Sequence, residues 1–167
     1  DLPLSRGLGD VYKRQPYMGR EAVEPFLRFK DKFAILLALT SNKSADDFQY
    51  TKENKQPMYE KVIKTSLNWK NSERLMYVVG ATKAEAFLSI RKLVPNSFLL
   101  VPGVGAQGGS LTEVANNGMN SQCGLLVNSS RGIIYASQKN DFADAAAYQA
   151  EKLQKEMQIL LKSKGLI

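Results

Sequence analysis

Two short stretches carry residue types suited to holding an anion. The first is Leu99–Gly109, LLVPGVGAQGG, where an apolar run stops at Pro102 and is followed by Gly103, Gly105, Gly108 and Gly109. Glycine lets backbone N–H groups come close to a ligand. Ser110 and Glu113 then form a capping-box pattern that opens a helix. A helix start adds unpaired N–H donors and a positive dipole end, both favourable to phosphate. The second stretch is Ser130-Arg131-Gly132, whose guanidinium could grip phosphate through its planar fork. Ser41, Asn42 and Thr82 could hydrogen-bond the polar edge of a ring. Each feature also has a plain structural reading: glycines make tight turns, a lone arginine is solvated, and small polar residues cap strands and helices.

Acid–base chemistry has fewer candidates. The 167 residues contain no histidine, which excludes Ser-His-Asp triads and the usual zinc sites. Lys83 is a lysine at a strand exit, open as a catalytic or a solvated group, and Asp46-Asp47 reads as a capping pair. One cysteine, Cys123, excludes an internal disulfide and points to a reducing compartment; it reads as a small buried hydrophobe. A net charge of +7 suits nucleic acid or a phosphorylated metabolite, but the lysines are scattered without interleaved aromatics, so no nucleic acid is expected. No apolar run approaches the ~20 residues of a membrane span, so no membrane partner is expected. Neither a metal nor an organic cofactor is indicated.

The elements that must position these residues follow from periodicity. Phe33–Leu39, Leu75–Val79, Phe98–Val101 and Gly124–Asn128 are short apolar runs, as in strands covered on both faces. Helices are expected at Arg20–Lys30 (bent or starting late because of Pro25), Met58–Trp69, Ala84–Val94, Leu111–Asn117 and Phe142–Lys164. Asp141 is the expected cap of the last, and Gly132–Ala136 could be a short extra helix. Tyr17 and Tyr135 read as packing residues. Repeated strand–helix pairs imply an α/β protein with a parallel sheet, and every candidate residue falls at the C-terminal end of a strand, where such folds bind ligands. Residues 1–15 show no period. Ser5–Gln15 also resembles the translation of a sequencing adapter, so 1–15 is expected to be non-native or disordered, with one domain over 16–167.

Five motifs in order, PYMG (Pro16–Gly19), TSN (Thr40–Asn42), VVGAT (Val78–Thr82), VPGVGAQGG (Val101–Gly109) and NSSRGIIYAS (Asn128–Ser137), resemble the C-terminal half of orotidine 5′-phosphate decarboxylases of the longer bacterial subfamily. The resemblance implies strands five to eight of a (β/α)8 TIM barrel. It implies a cytoplasmic homodimer that converts orotidine 5′-phosphate to UMP and CO2 without a cofactor. By the matching motifs, Ser41 would bind the pyrimidine, with Asn42 and Thr82 at neighbouring exits. Pro102 would line the ring pocket beside Gly103. Gln107 would bridge toward the phosphate with Gly108 and Gly109, and Arg131 with the Gly132 amide would hold it. The family's catalytic DxKxxD-type motif is absent from this sequence and is expected upstream of Pro16, so no catalytic residue is assigned here and the chain alone is expected to be inactive, with open sheet edges and an uncovered inner face. Two alternatives stay open: another phosphate-binding TIM-barrel enzyme of the sugar-phosphate aldolase or epimerase type, and a basic non-catalytic binding module.

Overall fold

The structure, a computed structural model, describes residues 11–105 and 108–167. Its elements run β1 (Val11–Arg14), α1 (Glu24–Leu27), β2 (Phe33–Leu39), the two-residue strands β3 (Lys52–Glu53) and β4 (Gln56–Pro57), α2 (Met58–Leu67), β5 (Leu75–Val79), α3 (Ala86–Leu93), β6 (Leu99–Pro102), α4 (Leu111–Gly118), β7 (Leu125–Asn128), α5 (Ser130–Ile134) and α6 (Phe142–Ser163). Five strands form one parallel sheet in the order β1-β2-β5-β6-β7, and β3 and β4 pair as a separate hairpin.

Alternation along the strands divides the core in two. Ala34, Leu36, Leu75, Tyr77, Val79, Leu99, Val101 and Leu125 meet the helices, through Leu27, Ile63, Phe87, Ile90 and Val114 among others. The opposite face carries Ile35, Met76, Val78 and Leu100, with Leu37, Phe98 and Leu126 partly buried against them. Since these four are at most 8% exposed, the expected uncovered inner face is corrected: neighbouring strands present large side chains that cover one another. Apolar residues on both faces explain why the strand sequences read as unbroken apolar runs.

The expected strands and main helices are present, with differences at their ends. Val11–Arg14, within the segment left out of the domain, is a strand pairing in parallel with Phe33–Leu36. That pairing comes from the neighbouring strand, so no local pattern announced it. The expected helix over Arg20–Lys30 is a 3-10 turn, Arg20–Ala22, followed by one helical turn with Pro25 in its first positions. Proline is tolerated there because its missing N–H would have no helical partner. Asp141 does not cap α6; its carboxylate accepts from Ser137 Oγ at 2.6 Å instead. Tyr17 and Tyr135 are not packing residues, being 96% and 69% exposed. Cys123 is half-buried rather than buried, in a left-handed conformation (φ 71°) ahead of β7.

At the end of the sheet away from the candidate residues, Arg91 acts as a clamp. Its guanidinium donates to the carbonyls of Gly118 (2.6 and 2.9 Å), Val94 (2.9 Å), Ser97 (2.7 Å), Gly124 (3.2 Å) and Pro95 (3.3 Å). It thereby ties the C-terminal ends of α3 and α4 to the approach to β7. Burial lowers its pKa from the ordinary arginine value.

Candidate functional site

Each candidate residue follows the C-terminal end of a strand, and the exits are stitched to one another. After β2 and β5, Gly80 N–H donates to Leu39 O at 2.9 Å and Thr82 Oγ1 donates to Ser41 O at 3.1 Å. A Cβ at Gly80 would lie 2.5 Å from Ser41 N, so the missing side chain is what lets the two exits touch. After β6, Gly109 is buried against Ala81 and the Gly103 carbonyl, again with no room for a Cβ. The loop closes on itself through Gly109 N–H to Gly103 O at 3.2 Å and Gly105 N–H to Gly109 O at 3.0 Å. After β7, Ser129 Oγ donates to Val104 O at 3.1 Å.

The candidates fall into two groups on this rim. Ser41, Asn42 and Thr82 form one, joined by the Thr82–Ser41 bond. Pro102, Gly103, Arg131 and Gly132 form the other, around a cleft of about 80 Å³ also lined by Val104 and Asn128–Ser130. Arg131 is exposed and Gly132 half-buried. Gly108 is exposed with φ 85°, a conformation that favours glycine, while Gly109 is the contact with Ala81 that joins the groups. Gln107 lies outside the described residues. A larger hollow of about 420 Å³ adjoins the cleft, between the β6 loop, α5 and α6, with Ser110, Gln149, Lys152 and Glu156 on its walls.

The local sequence explains this placement. Ser110 caps α4, its hydroxyl accepting from Glu113 N–H at 3.2 Å, and so fixes where the glycine loop ends. Asn128, Ser129 and Ser130 end β7 and start α5, the expected short helix, two residues earlier than expected.

Lys83 is a strut. Its ammonium pairs with Asp46 at 3.7 Å and lies over the Tyr50 ring at 4.9 Å, bracing the exits of β5 and β2 on the helix side of the sheet. Asp46 is therefore an ion-pair partner, and neither group faces the cleft. Sequence reasoning missed Gln49, whose side chain reaches back to the β2 exit: Oε1 accepts from Thr40 N–H and Nε2 donates to Thr40 Oγ1, both at 2.8 Å. A polar residue nine positions beyond Thr40 gave no periodic signal. Among the described residues there is no cluster of His, Cys, Asp or Glu able to hold a metal ion, and no helix long and apolar enough to cross a membrane.

A parallel sheet with helices packed on one face and small polar, glycine and arginine residues along its C-terminal rim defines an α/β protein of the ligand-binding β/α class. No family model matches the chain. Known proteins place it more closely. It is 60% identical over 149 residues to the orotidine 5′-phosphate decarboxylase of Flavobacterium johnsoniae, covering 89% of this chain and 55% of that protein. It is 59% identical over 159 residues to that of Parabacteroides distasonis, covering 95% and 57%. The OMP decarboxylase structure from Leishmania donovani superposes with a TM-score of 0.75 at 31% identity, covering 90% of this chain and 57% of that one. The chain is thus related, along almost its whole length, to orotidine 5′-phosphate decarboxylases, and it spans about half the length of the curated relatives it matches.

Proposed function

We propose that this chain is the substrate-holding half of an orotidine 5′-phosphate decarboxylase, comprising strands five to eight of a (β/α)8 barrel preceded by the edge strand β1. The carrying observation is the small cleft that gathers Pro102, Gly103, Arg131 and Gly132 beside the stitched Ser41–Thr82 exits. In this reading Arg131 and the Gly132 amide hold the nucleotide 5′-phosphate, with Gly108, Gly109 and Gln107 closing over it. Pro102 and Gly103 form a wall of the ring pocket. Ser41, with Asn42 and Thr82 at its side, hydrogen-bonds the pyrimidine.

Decarboxylation of orotidine 5′-phosphate to UMP leaves an electron pair on the ring carbon that a proton must fill. This chain offers no acid in the cleft, since Lys83 is tied to Asp46 and Tyr50 outside it. The Asp–Lys residues that supply the proton belong to the other half of the barrel, and an aspartate comes from the second subunit of a cytoplasmic homodimer. Phosphate binding at Arg131 supplies energy that the whole enzyme uses to hold the ring against those charges.

The test joins this chain to the N-terminal half of the Flavobacterium johnsoniae relative and follows conversion of orotidine 5′-phosphate to UMP. Arg131→Ala is expected to weaken UMP binding by about 1.5–3 kcal/mol, the worth of a charged hydrogen bond. Unchanged UMP affinity would remove Arg131 from the phosphate site.

A further inference from the structure

Thr40, Gln49 and Asn42 form a hydrogen-bond relay whose direction is set by elementary chemistry. The Thr40 backbone N–H can only donate, so the Gln49 atom 2.8 Å from it is the carbonyl oxygen Oε1. Nε2 therefore faces Thr40 Oγ1, at 2.8 Å, and donates to it. The Thr40 hydroxyl has one proton left to give. Two acceptors are in reach, Asn42 Oδ1 at 2.6 Å and Gln49 Oε1 at 3.2 Å, and the shorter contact takes it. Asn42 is thus held by its oxygen, and its Nδ2 group keeps two protons to donate. Asn42 is exposed at the rim, beside Ser41, and among the described residues its Nδ2 donates to no protein atom. The same segment is anchored from below, with Tyr59 N–H donating to Gln49 O at 3.1 Å and Gln49 N–H to Ala45 O at 2.8 Å.

We propose that Gln49 and Thr40 are positioning residues that fix Asn42 as a hydrogen-bond donor toward an acceptor atom of the nucleotide's base or ribose. This rests on the reading of the Thr40–Asn42 exit as part of the nucleotide site. The relay explains why an amide stands at position 49. A carboxylate there would still accept from Thr40 N–H, but it could not donate. The Thr40 hydroxyl would turn its proton to residue 49, its lone pairs would accept from Asn42 Nδ2, and the Asn42 amide would present its oxygen instead.

The experiment compares the wild-type chain, Gln49→Glu and Thr40→Ser, each labelled with 15N. It measures the Asn42 side-chain NH2 resonances, the thermal unfolding midpoint and the affinities for UMP and uridine. Gln49→Glu is expected to keep the wild-type midpoint, shift the Asn42 NH2 pair and weaken both ligands about fivefold, the worth of one hydrogen bond. Thr40→Ser, which keeps the hydroxyl, is expected to behave as wild type. Uridine carries no phosphate, so a loss confined to UMP would be charge repulsion and would overturn the proposal. So would an unmoved Asn42 resonance or unchanged affinities in Gln49→Glu. Failure of the wild-type chain to bind either ligand would count against the nucleotide site itself, while the Asn42 resonance would still decide whether the relay exists.

Discussion

Replacing Gly80 by alanine tests whether the strand exits must touch. Gly80 has φ −65° and ψ 135°, ordinary extended backbone, so its glycine is not required by conformation. It is required by space. An added Cβ would sit 2.5 Å from Ser41 N and 2.8 Å from both Ser41 Cα and Thr40 C, against the ~3.5–4 Å of a relaxed carbon contact. All three neighbours are backbone atoms, so no side-chain rotation relieves the clash and the β2 and β5 exits must part by about 1 Å. The bonds Gly80 N–H to Leu39 O and Thr82 Oγ1 to Ser41 O lie across the same gap. Overpacking costs about 1–3 kcal/mol and each lost hydrogen bond about 1 kcal/mol, so Gly80→Ala should cost about 3 kcal/mol. Urea unfolding followed by the fluorescence of the single tryptophan, Trp69, which packs partly buried against the core, measures it. The Ser41 amide resonance should move at the same time. Gly19→Ala is the control: its φ of 78° disfavours alanine, but a Cβ there meets nothing within 4 Å, so only about 1 kcal/mol is expected. If Gly80→Ala costs no more than Gly19→Ala, or leaves the Ser41 amide unmoved, the steric reasoning is wrong.

Two further outcomes follow from buried polar groups. Arg91→Ala should destabilise by about 3–5 kcal/mol, because carbonyls at the ends of α3 and α4 lose their donor; Arg91→Lys should recover less than half, since one ammonium cannot span them. Equal stability of the lysine variant and wild type would show that the fork geometry is unimportant. Alkaline pH should also destabilise the chain. Burial pushes the Tyr77 hydroxyl, bonded to Ser66 at 2.9 Å, up to about 12, and burial raises Tyr50 and Tyr59 as well. Above about pH 10 the unfolded chain releases these protons while the folded chain retains them, so stability present below pH 10 is lost as pH rises toward 12. Tyr77 alone accounts for about 2–3 kcal/mol of that loss. Urea midpoints at about pH 9 and about pH 11 should therefore diverge, and Tyr77→Phe should narrow the gap; an unchanged gap would reject the assignment to Tyr77.

Much of the architecture was legible because it is encoded by near neighbours. The runs Phe33–Leu39 and Leu75–Val79 are strands over those same residues, and the Ser110 cap and α6 lie where periodicity places them. β1 was not legible, because Val11–Arg14 is ordered by its partner strand rather than by its own pattern. Asp141 had the right residue type for a cap, yet Ser137 took its carboxylate.

The candidate site divides along the same line. Residue types and spacing alone determined that a glycine loop and an arginine follow successive strands, and hence that the C-terminal rim suits an anion. Which groups meet was decided by the closing of the sheet. It set Gly80 against Ser41 and Gly109 against Ala81, diverted Lys83 to Asp46 and Tyr50, and brought Gln49 back to Thr40. These contacts join residues on different strand exits or across an intervening turn. Their energies depend on distances of a few tenths of an ångström between backbones, which no local pattern of side chains encodes.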